Sequence, residues 1–197
     1  MTTGPLRLFV ALTVPSSTCE KLSGLVETLK QDNLPIKWVA KENLHWTLQF
    51  LGWTESKQVE KISAALSQAT EECKPFLLSL KQLDFFPSNR PRVILINPNQ
   101  GAAEAIALQA KIRQTLVTEG ISLEAEKPPH LTLGRVKKPT VISKDGWKRK
   151  TKEVIEGIEP TEVKEVVLFQ SELRGEGPTY TKLKVFPLGK VPSTQPR

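Results

Sequence analysis

One tetrapeptide pattern, used twice about half a chain apart, constrains this sequence more than any other feature. His45-Trp-Thr-Leu and His130-Leu-Thr-Leu contain the only two histidines among 197 residues. Both motifs lie in short apolar runs of strand character. In a strand, residues i and i+2 share a face. His45 is therefore expected beside Thr47, and His130 beside Thr132, with Leu48 and Leu133 turned the other way as anchors.

The surrounding order of elements repeats as well, which points to an internal duplication. Leu6, Leu8, Val10, Leu12 and Val14 alternate as one face of a first strand. Pro15 to Thr18 open a helix with an apolar stripe at Leu22, Leu25, Val26 and Leu29. A short strand is predicted over Ile36–Lys41, then the histidine strand His45–Leu51, ended by Gly52. A helix opened by Thr54 and Glu55 follows, with Val59, Ile62, Leu66 and Ala69 inward. Phe76–Phe85 and Val93–Ile96 read as strands around a proline turn. The third helix follows Gly101, carries Ala105, Leu108, Ile112 and Leu116 on its inner side, and stops at Gly120. The second histidine strand spans His130–Val136. A basic helix from about Asp145 to Ile155 and a hairpin of Val163–Ser171 with Tyr180–Phe186 complete the chain. Its turn is placed at Gly175–Pro178. Residues 1–190 are expected to form a single bilobal domain and 191–197 a flexible tail.

A chain this long buries a core without metal or disulfide staples. The net charge of +7 favours polyanionic partners. Cys19 and Cys73 form no CxxC pair, and read as small buried or half-buried thiols in a reducing compartment. No apolar run approaches membrane-spanning length. The N-terminal run lacks the cleavage site of a signal peptide, so a cytoplasmic location is expected.

Two imidazoles and two hydroxyls on a common cleft suit attack on a phosphodiester. One imidazole takes a proton from water and the other gives one to the leaving oxygen. The hydroxyls donate to the phosphate oxygens as charge gathers there. Such a scheme calls for no metal and no cofactor. Neither motif has the ligand spacing of a helical zinc site, and no glycine-rich phosphate loop is present.

With these motifs go RLFVALTVP, WVAKENLHWTLQFLG, RPRVILINP, PPHLTLGRV, LFQSEL and GPTYTKLKVFPL, spread over residues 7–188. Together they resemble the two-histidine phosphoesterases, more narrowly the RNA 2',3'-cyclic phosphodiesterases, also known as LigT-like proteins or 2'-5' RNA ligases. The resemblance implies an α+β fold of two pseudo-twofold-related lobes. Each lobe is an antiparallel sheet with outer helices, arranged around a central cleft. It implies metal-independent opening of a 2',3'-cyclic phosphate, on RNA or a nucleoside, to a 2'-phosphomonoester. His45 would be the proton donor, His130 the acceptor, and Thr47 and Thr132 the phosphate anchors. RNA ends or cyclic nucleotides are the expected partners, with a monomer acting away from membranes and without an obligate protein partner. Reversible 2'-5' RNA ligation and non-catalytic RNA or nucleotide binding are the alternatives on the same fold.

Phe50 matches an aromatic beside the first motif, placed to stack on a base. Arg135 matches a basic residue after the second, placed to bind phosphate. Strict alternation puts both opposite the histidines, so each needs a twist, bulge or strand end to reach the site. Glu126-Lys-Pro-Pro129 departs from the arginine and aromatic common before the second motif. Gly134 replaces a more usual alanine and is expected to be harmless. Lys144, Lys148, Arg149, Lys150 and Lys152 read as a solvated helix face. Trp38, Trp46, Trp53 and Trp147 read as core or rim packing.

Overall fold

The computed structural model describes residues 4–125, 127–175 and 177–189. The expected tail, Glu126 and Glu176 of the final turn lie outside the described residues. The strands are β1 (Leu6–Thr13), β2 (Ile36–Trp38), β3 (His45–Thr54), β4 (Phe76–Leu78), β5 (Leu80–Phe86), β6 (Val93–Pro98), β7 (His130–Val136), β8 (Thr161–Val163), β9 (Glu165–Arg174) and β10 (Gly177–Pro187). The helices are α1 (Ser16–Lys30), α2 (Val59–Glu71), α3 (Ala102–Thr118) and α4 (Lys144–Glu156).

The two lobes are halves of one antiparallel array ordered β10-β9-β1-β3-β7-β6-β5, with β2 added on β7. The β1–β3 pair centres the first half and the β6–β7 pair the second. They join where β3 meets β7, through Trp46 opposite Leu131 and Thr47 opposite His130. The main core lies on one sheet face, where Leu8, Val10, Leu12, Trp46, Leu48, Leu131 and Leu133 meet the helices. Helices α2 and α3 pack together towards β10 and β3, and α1 and α4 pack together with α4 on β5. The helix after β1 thus pairs with the helix that covers the second half. Among the described residues, the opposite sheet face carries no helix but a small aromatic cluster of Phe9, Phe169, Phe50 and Tyr180.

Several elements differ from the sequence reading. Gly52 does not end β3. It adopts φ 69° inside the strand, where the β1 pairing slips by one residue between Leu8 and Phe9. Glycine takes that left-handed bulge conformation without a Cβ penalty. The run Phe76–Phe85 splits at Ser79, which exchanges backbone bonds with Asn99 and Gln100 and carries the chain from one sheet to another. The second helix starts at Val59, after a 3-10 turn over Ser56–Gln58. The strand predicted from Ile36 stops at Trp38, and Lys41–Asn43 form another 3-10 turn.

Gly134 is not interchangeable with alanine here. A Cβ at that position would lie 2.9 Å from both Ile36 Cγ2 and Trp38 Cε3. The missing side chain lets β2 close onto β7 and lets Trp38 stack on the buried Trp147, with ring centroids 6.0 Å apart. Gly134→Ala is expected to destabilise the protein by about 1–3 kcal/mol, the usual cost of overpacking. A lowered urea midpoint at unchanged slope would register it.

Candidate active site

Thr47 faces His130 directly across the β3–β7 seam. Residues opposite one another in an antiparallel pair share a sheet face. Continuing that register brings His45 level with Thr132. The structure therefore gathers His45, Thr47, His130 and Thr132 on the helix-free face, as strand periodicity predicted.

Both imidazoles are held in the same way. His45 Nδ1 lies 2.7 Å from the Asn43 carbonyl, and His130 Nδ1 lies 2.8 Å from the Pro128 carbonyl. A carbonyl only accepts, so each Nδ1 carries the hydrogen and each neutral ring presents Nε2 as a bare acceptor. His45 Nε2 takes a hydrogen bond from the Thr47 hydroxyl at 3.0 Å. Thr47 is buried and Thr132 half-buried.

The two rings differ in their surroundings. His45 sits among Phe9, Tyr180 and Phe169, with ring centroids 4.9, 5.3 and 6.5 Å away. Burial lowers its pKa from the usual 6.5 to about 4, and the charges of His130 and Arg135 push the same way. The His130 pKa is also lowered, first by burial and then by Lys127 and Arg135, with the Pro128 bond opposing. Two neighbouring cations cannot be held cheaply in one half-buried patch.

Phe50 and Arg135 both reach this face, by the same device. The β1–β3 register slips between Val10 and Ala11, which leaves Leu48 as an extra residue. The β6–β7 register slips between Ile94 and Leu95, which leaves Leu133 extra. In each strand the bulged residue is the leucine of the motif, and it reverses the alternation beyond it. Phe50 thereby joins Phe9, at 5.9 Å between ring centroids. Arg135 comes close enough for its charge to depress both histidines.

Residues from distant segments complete the patch, and strand periodicity gave no sign of them. Burial raises the Tyr180 phenol pKa, against the charges of Arg135 and Arg7. Asn43 Nδ2 donates to the Pro178 carbonyl at 2.8 Å, so the residue that orients His45 also pins the start of β10. Lys37 lies opposite Arg135 with its Nζ close to Gly177. Lys127 Nζ stands 5.9 Å from the Phe50 ring centre, so the departing segment before the second motif still supplies a cation.

Two buried glutamines tie that segment to β3. Gln109 Nε2 donates to the Leu48 carbonyl at 2.5 Å and to the Lys127 carbonyl at 2.7 Å. Gln49 Nε2 donates to the Phe50 and Glu124 carbonyls at 2.7 and 3.0 Å, and its Oε1 accepts from Arg113. The basic residues of α4 stand apart from this face. Lys148 and Lys150 pair with Asp84 and Asp32 at 3.7 and 3.1 Å, and Lys152 lies 3.8 Å from Glu156. Cys19 and Cys73 are free thiols. Among the described residues, no helix is long and apolar enough to cross a membrane.

Comparison with known proteins places this architecture. The profile of the LigT like Phosphoesterase family matches residues 12–95 and 96–180, one stretch for each histidine motif. A Methanothermobacter thermautotrophicus protein named RNA 2',3'-cyclic phosphodiesterase is 30% identical, over 93% of this chain and 99% of its own. A Methanocaldococcus jannaschii protein of the same name is 33% identical, over 91% and 99%. Among solved structures, Escherichia coli LigT without ligand shares the fold with a TM-score of 0.73, at 23% identity, over 94% of this chain and 99% of that one. The chain belongs to the LigT-like phosphoesterase family.

Proposed function

We propose that the protein hydrolyses 2',3'-cyclic phosphates at RNA or nucleoside ends to 2'-phosphomonoesters, with His45 and His130 as acid and base. The observation that carries this reading is the matched pair of rings. Each is fixed through Nδ1 and presents Nε2 to one face, with a threonine from the other strand across from it. The relatives' name points to the same substrate class.

Water attacks the phosphorus and passes a proton to His130 Nε2. The bond from phosphorus to O3' breaks, and O3' takes the proton from His45 Nε2. The phosphate stays on O2', and solvent exchange resets both rings. Thr47 turns its hydrogen from Nε2 to a phosphate oxygen once His45 is protonated, and Thr132 serves the opposite oxygen. Arg135 offsets charge on the phosphate. The assignment of His45 as donor follows the family resemblance.

A 2',3'-cyclic nucleotide supplied in the presence of EDTA tests the reading. The 2'-phosphate is the expected product by NMR, and a 3'-phosphate or unchanged substrate overturns it.

The depressed histidines set the pH dependence. Protonated His45 is scarce in the free protein at neutral pH, and the bound phosphate anion favours its charged form. The profile of kcat/KM reports the free protein, and that of kcat the complex. The loss of kcat/KM with rising pH is therefore expected to begin below 6.5, and that of kcat at higher pH. Arg135→Gln removes a positive neighbour from both rings and is expected to move both limbs of kcat/KM upward. A profile of Arg135→Gln that overlays the parent would contradict this placement of Arg135.

A further inference from the structure

The structure separates the four tryptophans. Trp46 and Trp147 are buried at 5% and 1% exposure, whereas Trp53 is 72% exposed. Trp38 is partly buried and covered by Trp147. Trp53 lies directly opposite Arg7 across the β1–β3 pair. Arg7 stands two residues from Phe9 on β1, so Arg7 and Trp53 share the helix-free face with the site. Trp53 is also out of reach of a mononucleotide held at the histidines. Eight residues separate it from His45, two of them spent in bulges, and the strand rise of about 3.3 Å leaves about 20 Å between them.

Building on the phosphodiesterase reading, we infer that Trp53 and Arg7 form a subsite for an upstream nucleotide of single-stranded RNA whose 2',3'-cyclic end lies at the histidines. An exposed indole offers a stacking plane for any base, and a guanidinium beside it takes the backbone phosphate. Phe50, with Lys127 beside its ring, lies between the two places along β3 and extends the same lane. Glu124 puts a carboxylate beside Gly52, so the phosphate is expected on the Arg7 side of Trp53. The substrate is then an RNA strand of a few nucleotides or more, read by stacking and charge rather than by base identity.

Kinetics on two substrates test this: a 2',3'-cyclic mononucleotide and an eight-nucleotide RNA with the same end. Trp53→Ala is expected to leave the mononucleotide unchanged and to raise KM for the RNA roughly tenfold at constant kcat. Trp53→Phe keeps an aromatic plane and is expected to recover most of that loss. Arg7→Gln is expected to flatten the salt dependence of RNA KM by about 0.7 in log–log slope, the share of one phosphate. Equal effects of Trp53→Ala on both substrates overturn the subsite, as does a parent protein that shows no preference for RNA. If the parent turns over neither substrate, the phosphodiesterase reading fails on its own. Tryptophan fluorescence then decides the subsite, since Trp53 is the exposed indole. Quenching by the RNA that Trp53→Phe abolishes supports it, and RNA binding unaffected by that change overturns it.

Discussion

Alanine at His45 or at His130 is expected to reduce kcat on a 2',3'-cyclic phosphate by at least about 10²–10⁴, the range for a positioned proton donor or acceptor. The double variant is expected to lose little more than either single one, because an acid and a base that serve one displacement act as a unit. Neither ring takes part in the strand ladder: each Nδ1 bonds a carbonyl two residues upstream and His45 also accepts from the Thr47 hydroxyl, so either change is expected to leave the strands intact. Circular dichroism and the thermal midpoint of each variant check that point. Turnover within tenfold of the parent in either single variant would remove that histidine from the chemistry.

Gln109→Leu is expected to have the largest effect on stability among substitutions outside the core. The side chain is 1% exposed and satisfies the carbonyls of Leu48 and Lys127 together. Leucine fills the same space and leaves both carbonyls without this donor. A buried acceptor left unpaired costs about 1–3 kcal/mol, so a loss of about 2–4 kcal/mol is expected in urea titrations. The two carbonyls belong to the bulge beside Thr47 and to the segment that leads into His130. Activity of the remaining folded protein is therefore expected to fall as well. A variant as stable as its parent would show that neither carbonyl depends on Gln109.

Periodicity carried the sequence reading far where a strand or helix has one covered face. The even-numbered residues from Leu6 predicted β1, and Ala105, Leu108, Ile112 and Leu116 predicted the buried side of α3, all four fully enclosed. His130–Val136 matches β7 residue for residue. Alternation failed at Leu48 and Leu133, because a bulge is set by pairing with a neighbouring strand and leaves no mark in the strand's own pattern. Phe50 and Arg135 were legible only through the family resemblance, and the two slips explain how they arrive. Lys37 and Tyr180 reach the site through pairings between segments far apart in the chain, and Asn43 reaches it through its backbone carbonyl, which a pattern of side chains does not reveal. The two β3 slips cancel, so alternation counted from His45 already puts Trp53 on the same face. Its exposure, which sets it apart from the other tryptophans, depends on what packs beside that face and is not written in composition.

The matching halves carry a consequence for the origin of the site. A half-chain assembled as a symmetric homodimer would give its two histidines identical surroundings and one shared proton affinity. An acid and a base working together need different ones. Fusion of the halves into one polypeptide lifts that constraint, because each copy then drifts independently. Here the surroundings differ: aromatic rings from β1, β9 and β10 enclose His45, while Lys127 stands near His130. On the proposed acid–base reading, covalent linkage would act in this protein as a means of symmetry breaking, giving the two imidazoles the separate surroundings that separate tasks require.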